Sequence, residues 1–316
     1  MSDKKEIRKT SIGGQAIIEG IMMRGVDKTC MAVRNPEGEI VIEQVEDKAM
    51  SPAKYKKIPI VRGIINFVAS FLLGYKTIDR SAEIAMGDLA EEEETKFDKW
   101  LKEKLGDKAE KVITGITIAI AVVLAIGLFI LAPYYAAKLI EVIFKTELGI
   151  WFYLVEGIVR IAIFIGYISL VRLLQDMKHL FGYHGAEHKT IHCYEYGEEL
   201  TVENCRKHSC LHKRCGTNFL LIVMIISILC FSFIQTNSAI LRLVLRLALM
   251  PIVAGISYEI IKLLGRYDNK FTTIIAAPGL ALQKLTTYEP TDDQLEVAIA
   301  ALKEVLPANQ GEDDKW

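Results

Sequence analysis

The stretch VITGITIAIAVVLAIGLFILA, residues 112–132, decides the fold class of this chain. It is strongly apolar and contains no charged side chain. The hydrocarbon core of a bilayer is about 30 Å thick, and a helix needs about 20 apolar residues to cross it. The stretch therefore predicts a transmembrane helix.

Three further apolar runs lie downstream, at residues 150–170, 218–234 and 239–264. The run at 218–234 is the shortest, and the last run carries two arginines and an internal Pro251. Only a few residues separate these two runs, which suits an antiparallel pair of helices. We predict a mostly α-helical membrane protein with about four transmembrane helices, embedded in a lipid bilayer.

Lysine and arginine are unevenly distributed among the connections. Residues 133–149 contain two lysines, whereas residues 174–217 contain six lysines and arginines. Cytoplasmic loops carry the excess of these residues. Both termini and the loop at 174–216 are therefore expected to face the cytoplasm in a multi-pass arrangement.

The region before the first run reads as a small cytoplasmic domain. Within residues 1–57, TCMAVRNPEGEIVIEQV predicts a β-hairpin around an Asn-Pro-Glu-Gly turn. Residues 58–111 predict an amphipathic or re-entrant helix followed by a charged linker, with a fifth span as the alternative. Residues 112–173 and 217–264 hold the two pairs of transmembrane helices.

The C-terminal cytoplasmic arm, residues 265–316, ends in a predicted amphipathic helix. Thr291 and Gln294 have the spacing of a capping box, and two aspartates follow Thr291. Leucine and isoleucine side chains then recur on one helical face. This face is typical of a docking surface.

The bulk composition excludes several classes of protein. A net charge of −1 gives no reason to expect a nucleic-acid partner. Six cysteines in 316 residues do not make a secreted disulfide framework. Their clustering beside histidines indicates reduced thiols that can bind metal.

The segment YHGAEHKTIHCYE, residues 183–195, contains the residues best suited to chemistry. His184, Glu187 and His188 form an H-x-x-E-H pattern, in which two histidines bind zinc and the glutamate acts as a general base. Neutral imidazoles leave the ion acidic, and a neighbouring carboxylate can accept a proton from water. The pattern predicts a site for a divalent metal, with zinc as the favoured ion.

A second cluster in the same loop, CRKHSCLHKRCGT, strengthens this prediction. Its His212 and Cys215 are three residues apart and could approach one ion from a turn. A closed structural zinc site with four protein ligands is one alternative. The other is a loop that is rich in histidine and cysteine and binds no metal.

Charged residues also occur within the apolar runs. Glu156 and Arg246 are expected at similar depth, and charges in lipid usually pair or line a cavity. We predict an intramembrane ion pair between them. Glu259, near the cytoplasmic end of the last run, could serve as a further ligand or acid; its alternative is a pairing with Lys262 or contact with the membrane interface.

Several motifs resemble those of the YqhQ-like family of bacterial membrane proteins, a domain of unknown function that is described as a predicted metal-dependent enzyme. The resemblance spans nearly the whole chain. The motifs that carry it are IGGQAIIEGIMMRG, YHGAEHKTI, HKRCGTNFL, PIVAGISYEIIK, PGLALQKLTTYEP and LEVAIAAL. It implies a multi-pass protein of the bacterial cell membrane.

The family pattern falls on some of the histidines and cysteines and not on others. It includes His184, Glu187, His188, Lys189, His212, Arg214, Cys215 and Gly216, and it leaves out His179, His192, His208, Cys193, Cys205 and Cys210. Lys213 stands where the family often has proline, which leaves the turn before Arg214 open. The resemblance thus narrows the metal ligands to His184, His188, His212 and Cys215, with Glu187 as the base.

These residues support two hypotheses of different kinds. The first is a metal-dependent hydrolase in which Arg214 or Lys189 stabilises an oxyanion. The second is a non-enzymatic membrane factor with a structural metal, which recruits a membrane protein partner in membrane protein biogenesis or envelope maintenance. Ligation by Cys215 as a fourth protein ligand would favour the structural site. A small transporter that uses Glu156 and Arg246 is a third interpretation.

Overall fold

A computed structural model describes residues 10–47, 58–87, 104, 106, 109–149, 151–234, 236, 238–267 and 269–307. The strands are β1 (Gly13–Ile17), β2 (Gly20–Arg24), β3 (Thr29–Arg34) and β4 (Ile40–Val45). The helices are α1 (Val61–Met86), α2 (Ala109–Ile126), α3 (Ala132–Phe144), α4 (Trp151–Val171), α5 (Gln175–Glu195), α6 (Val202–Arg206), α7 (Gly216–Phe231), α8 (Ala239–Arg266), α9 (Lys270–Thr286) and α10 (Asp292–Val305). The chain divides into two compact units, one of residues 1–87, 168–227 and 248–316 and the other of residues 88–167 and 228–247.

The first unit contains an antiparallel sheet with the strand order β1-β2-β3-β4. The predicted hairpin is β3–β4, and its turn is closed by the Gly38 N–H, which donates to the Asn35 carbonyl over 3.0 Å. Gly38 has a φ of +87°, which a residue with a side chain adopts only with strain. The sheet is larger than the single hairpin predicted for residues 1–57, because the glycine-rich motif before it forms β1 and β2.

Successive side chains along a strand point to opposite faces of the sheet, and here both faces are buried. Ile21 and Met23 point into a core shared with α5 and α10, and Met22 points into a second core against α1. The second core includes Leu73 of α1. The sheet is thus covered by α5 and α10 on one face and by α1 on the other, and α5 is the helix that carries the H-x-x-E-H pattern.

Helix α10 begins at the predicted capping box. The Thr291 hydroxyl accepts from the Gln294 N–H, and the Gln294 side chain accepts in return from the Thr291 N–H. The apolar face of the helix is buried, with Leu295 and Leu302 fully enclosed in the core. The predicted amphipathic helix is confirmed, and the face that suggested external docking packs on α5 and the sheet of its own chain.

Helix α1 occupies most of the segment predicted to lie on or re-enter the membrane. Its Gly63 crosses α8 so closely that a Cβ there would lie 2.8 Å from the Gly255 carbonyl oxygen. Phe71 and Leu72 on another face are exposed. Within the described residues α1 is not apolar enough to count as a span. The charged linker that follows lies almost entirely outside the described residues.

The second unit differs from the prediction at its first helix. The predicted span ended near residue 132, but the helical path runs on through Pro133 to Phe144. A π-helical turn, Gly127–Leu131, makes this continuation feasible. In it the Ala132 N–H donates to the Gly127 carbonyl, five residues back, so the turn is wider than an α-helical turn. The wider turn precedes Pro133, which has no N–H to donate. The segment predicted as a connection, residues 133–149, is therefore mostly helix.

The number of long apolar helices also differs from the prediction. Three helices among the described residues are long and apolar enough to cross a membrane, at Val112–Phe144, Trp151–Val171 and Ile240–Leu264. The predicted third span is α7, which has 16 residues. At 1.5 Å per residue it reaches about 24 Å, short of the ~30 Å of a hydrocarbon core. The prediction of four such helices is therefore corrected to three.

The segment at 174–216, predicted as a loop, is largely helical. Helix α5 covers 21 of its residues, including every position from His179 to Glu195. Its second half packs against the sheet and α10, so His188 lies in the interior of the first unit, while His184 and His192 are partly buried. The segment still connects two apolar helices, α4 and α7, as predicted, and its helical part is the one on which the spacing of the histidines places them on one face.

Candidate metal centre

Helix α5 sets the histidines at intervals of about one turn. His184, His188 and His192 are four residues apart and lie along one side of the helix. The ring centroids of His184 and His188 are 4.5 Å apart. The helical period alone is therefore enough to place these two imidazoles side by side, as the sequence predicted.

Two backbone carbonyls fix the orientation of the first two rings. The Nδ1 atom of His184 lies 2.8 Å from the Thr286 carbonyl oxygen, and that of His188 lies 2.5 Å from the Cys210 carbonyl oxygen. A carbonyl only accepts, so in both rings Nδ1 carries a proton, and Nε2 is the nitrogen that is left to bind a metal ion. This is the arrangement in which a histidine is held as a metal ligand by a hydrogen bond from its other nitrogen.

Cys215 completes a group of three ligands. The Nε2 of His184 lies 3.1 Å from the Cys215 Sγ, and the buried Nε2 of His188 has no hydrogen-bond partner among the described residues. One ligand atom from each of the three side chains lies within 4.8 Å of the others. Two imidazoles and a thiol are ligands that zinc binds, and three of them leave one of the four usual positions open.

The charges in this group favour a thiolate. Burial by itself would raise the pKa of Cys215, but His184 and His188 hold that pKa well below its usual value. Burial would likewise lower the pKa of His184, yet the Cys215 thiolate outweighs it and raises that pKa to about 9. The thiolate is the form of cysteine that binds metal, so the site is prepared for a cation.

Glu187 lies on the same helix between the two ligands. It is 6% exposed, and its Oε1 accepts a hydrogen bond of 2.9 Å from the Gly14 N–H of β1. Burial raises the pKa of this carboxyl, against the opposing charges of His188 and His184. A raised pKa moves a carboxylate towards the neutral range in which a general base works best.

His212, the fourth predicted ligand, lies in a neighbouring network. Its Nε2 is 3.4 Å from Glu195 Oε2, and its Nδ1 accepts from the Arg214 N–H over 3.3 Å. Gln283 also holds its backbone, with two hydrogen bonds of 2.8 Å. Both ring nitrogens of His212 therefore have partners in this second network.

Glu195 is the centre of this second network. It lies close enough to His192 and His212 to form a second group of potential ligands. However, the Arg214 guanidinium and the Thr10 N–H also donate to it. Burial opposes its ionisation, but His212 and Arg214 lower its pKa to about 2. Because Arg214 already supplies the compensating positive charge, we assign this group to an ion-pair network.

The remaining predicted site residues have partners elsewhere in the first unit. Lys189 is buried, with its Nζ 2.6 Å from Glu289 Oε1 and donating over 2.8 Å to the Arg206 carbonyl. Glu259 accepts from the Arg62 Nε over 2.7 Å. The structure thus brings His184, His188 and Cys215 together, with Glu187 buried on the same helix, and it places Lys189, Arg214 and Glu259 in ion pairs.

A third group consists of Cys193, Glu198 and His208. Its His208 Nε2 lies 3.2 Å from Glu198 Oε2, and Cys193 Sγ donates to the Glu199 carbonyl over 3.4 Å. These contacts tie the end of α5 to the segment around α6. The group is a local polar cluster beside the candidate metal centre.

The sequence analysis did not identify the residues that orient the side chains of the site. Glu195 follows His192 by three positions, a spacing that places both on one face of α5 and could have indicated the second network. The carbonyls of Thr286 and Cys210 and the N–H of Gly14 act through backbone atoms. No side-chain motif records such contacts.

Gly185, between His184 and Glu187, offers a test of the packing around the site. A Cβ at this position would lie 2.1 Å from the Tyr288 carbonyl oxygen. We expect Gly185→Ala to lower the free energy of unfolding by about 1–3 kcal/mol, as overpacking usually does. Thermal unfolding of the detergent-solubilised protein would measure this loss.

The control for this prediction is Gly166→Ala in α4. A Cβ at Gly166 meets no atom within 4 Å. Alanine is favoured over glycine inside a helix by about 1 kcal/mol, so this variant should be neutral or slightly more stable. Equal stability of the two variants would show that α5 and the Tyr288 segment are not packed as described.

Comparisons with known proteins agree with the motifs. Residues 58–308 match the family described as "Protein of unknown function (DUF1385)". The chain is 33% identical over 296 residues to "Uncharacterized protein YqhQ" of Bacillus subtilis (strain 168), which covers 93% of this chain and 92% of that protein. No solved structure shows a significant match. The chain belongs to the DUF1385 family, in agreement with its resemblance to YqhQ-like proteins.

Proposed function

We propose that the protein is a metal-dependent hydrolase of the bacterial cell membrane. The observation that carries this proposal is the convergence of His184, His188 and Cys215, whose ligand atoms lie within 4.8 Å of one another. Both histidines hold their Nδ1 on carbonyls and keep Nε2 for an ion. A fourth position stays open because His212 is engaged with Glu195.

The ligand set favours zinc over harder cations. Magnesium and calcium prefer oxygen ligands, whereas thiolate and imidazole together suit zinc. Zinc with three protein ligands acts as a Lewis acid and lowers the pKa of a bound water to about 7. These properties support hydrolysis as the class of reaction.

Glu187 would receive the proton of the attacking water. It neighbours His188 in sequence, and the charges of both histidines act on its carboxylate. The Gly14 N–H holds one carboxylate oxygen, which fixes the orientation of the group. Lys189 and Arg214 each form an ion pair with a carboxylate, so the proposal gives neither of them the role of stabilising an oxyanion.

The surroundings of the site support a location at the membrane surface. The chain has three helices that could cross a bilayer, and the exposed apolar side chains of α1, among them Phe71 and Leu72, suit contact with lipid. The lysines and arginines of residues 174–217 favour the cytoplasmic side for the metal centre. We therefore propose a multi-pass protein with the site and both termini in the cytoplasm.

Glu187→Gln tests the role of the base. Zinc-loaded protein should hydrolyse an activated ester such as p-nitrophenyl acetate, and the variant should lose about 10²- to 10⁴-fold in rate, as expected when a general base is removed. Its zinc content should remain that of the wild type, because glutamine can still accept from the Gly14 N–H. The rate and the metal content are measured on the same preparation.

Glu296→Gln is the matched control for this change. Glu296 is exposed and pairs with Arg34 at the surface, so its substitution should alter neither quantity. A Glu187→Gln protein that keeps the wild-type rate would show that Glu187 is not the base.

One observation favours a second function, a membrane factor with a structural metal. The carbonyls that anchor the two histidines come from the end of α9 and from the turn after α6. An ion on His184, His188 and Cys215 would link α5 directly to the residue before α7, and through the two anchored histidines it would also stabilise the contacts with these carbonyls. Loss of cellular function in His188→Ala, together with its retention in Glu187→Gln, would favour this structural role and a membrane protein partner.

A further inference from the structure

The second unit contains a buried cluster of charged side chains, independent of the metal centre. Glu156 of α4 accepts from the Arg246 Nη1 and Nη2 atoms over 2.6 and 2.7 Å, as the sequence predicted. Arg160 Nη2 donates to the same carboxylate over 2.6 Å. All three residues are less than a tenth exposed. One carboxylate is therefore shared by two guanidinium groups.

The cluster carries one more positive than negative charge. The guanidinium group of arginine is normally charged in proteins. The Phe129 carbonyl accepts from Arg160 Nε over 2.9 Å, and the Phe231 ring lies 5.4 and 5.2 Å from the guanidinium carbons of Arg160 and Arg246. Charged side chains among apolar helices are costly and often mark a functional site.

Arg242 adds a further positive charge one helical turn away from Arg246. Its guanidinium lies 4.7 Å from the centroid of the Tyr134 ring, and it donates to the Thr236 carbonyl. Both of these partners are neutral. The Nε atoms of Arg242 and Arg246 are buried and have no hydrogen-bond partner among the described residues. Two arginines four residues apart on α8 therefore each have a buried Nε donor without an acceptor among the described residues.

A small cavity lies between these arginines. It has a volume of about 20 Å³ and is lined by Arg242, Arg246, Ile130 and Tyr134, among others. A cavity of this size has room for one water-sized atom. The π-helical turn at Gly127–Leu131 contributes to its wall and exposes the Phe129 carbonyl to Arg160. Such turns are frequent at functional sites.

We propose that this cavity binds a phosphate group, with one phosphate oxygen between Arg242 and Arg246. A phosphate oxygen fits the volume, can accept from the guanidinium groups of Arg242 and Arg246 that line the cavity, and brings negative charge to these two cations. Arg242 lies within one turn of the start of α8, close to the end of a candidate span, where lipid headgroups are found. The phosphodiester of an anionic lipid is therefore the favoured source, and free inorganic phosphate is the other.

Native mass spectrometry of the full-length, delipidated protein in a non-ionic detergent would test this. Phosphatidylglycerol is the lipid probe. Arg242→Gln removes one donor and one charge, and Ile130→Trp fills the cavity while every charge remains. We expect both variants to bind the lipid at least tenfold more weakly, since a hydrogen bond to a charged group is usually worth more than the 1.4 kcal/mol of a tenfold change.

Lys138→Gln is the matched control. Lys138 belongs to the same unit but is paired with Glu141 over 2.7 Å, so its loss should leave lipid affinity unchanged. Inorganic phosphate is titrated in parallel. If the lipid binds and phosphate does not compete with it, the lipid is the source of the phosphate group. If phosphate binds and both variants lose this binding, the free ion is the source. Equal lipid affinity in the wild type and either cavity variant, or binding of neither probe, would overturn the proposal.

Discussion

Substitution of His188 by alanine is expected to reduce the zinc content of the purified protein to background. His188 supplies one of three ligands, and its Nε2 is buried without another partner among the described residues. Loss even of a group that only orients a ligand typically costs about 10- to 100-fold in metal affinity, so loss of the ligand itself should cost more. The measurement is elemental analysis after dialysis against a chelator and reloading with one equivalent of zinc.

Two other histidines provide the controls. His192 lies one turn further along α5, and its Nε2 is 3.0 Å from the Leu211 carbonyl. His212 has partners at both ring nitrogens. We expect His192→Ala and His212→Gln to retain the ion. Loss of zinc in His212→Gln alone would show that the site closes with four protein ligands, and a wild type that binds no zinc would end the metal hypothesis.

This comparison also separates the two proposed functions at the level of structure. An open fourth position is required for substrate or water, whereas a closed tetrahedral site is typical of structural zinc. The described geometry favours the open arrangement, because the Nδ1 of His212 accepts a backbone N–H and its Nε2 faces a carboxylate. Retention of zinc in His212→Gln would thus support the hydrolase before any substrate is known.

The sequence predicted the part of the site that depends on local geometry. His184, Glu187 and His188 lie within five residues, and the period of a helix alone determines how they face. Cys215 was indicated by the family pattern. The contacts of His212 with Gln283 and Glu195 could not be predicted, because these two residues approach it through tertiary packing. Backbone partners such as the Thr286 carbonyl are also independent of residue type.

The same reasoning explains the successes and errors in the fold. The capping box at Thr291 and the turn at Asn35–Gly38 involve contacts between residues three apart, and both occur as predicted. Hydropathy placed the end of α7 too far along the chain, because an apolar run does not show where the helix within it ends. It also missed the continuation through Pro133, since the π-helical turn that accommodates this residue leaves no mark on hydropathy.

Replacement of Glu156 by glutamine is expected to destabilise the protein by about 3–5 kcal/mol, as breaking a buried ion pair from one side usually does. The reason is that Arg160 and Arg246 both donate to this carboxylate and would be left charged and buried. The measurement is thermal unfolding in detergent under reversible conditions. The control is Glu141→Gln, which breaks the partly exposed pair with Lys138 and should cost less than about 1 kcal/mol.

A double variant separates the pair from the rest of the cluster. In Glu156→Gln/Arg246→Met the carboxylate and one guanidinium are removed together, so the excess of positive charge is no greater than in the wild type. Because residues in contact do not act additively, the double variant should be more stable than the sum of the two single changes predicts. A Glu156→Gln protein no less stable than Glu141→Gln would contradict the structural importance of this carboxylate. Additivity in the double variant would show that Arg160, and not Arg246, is the principal partner of Glu156.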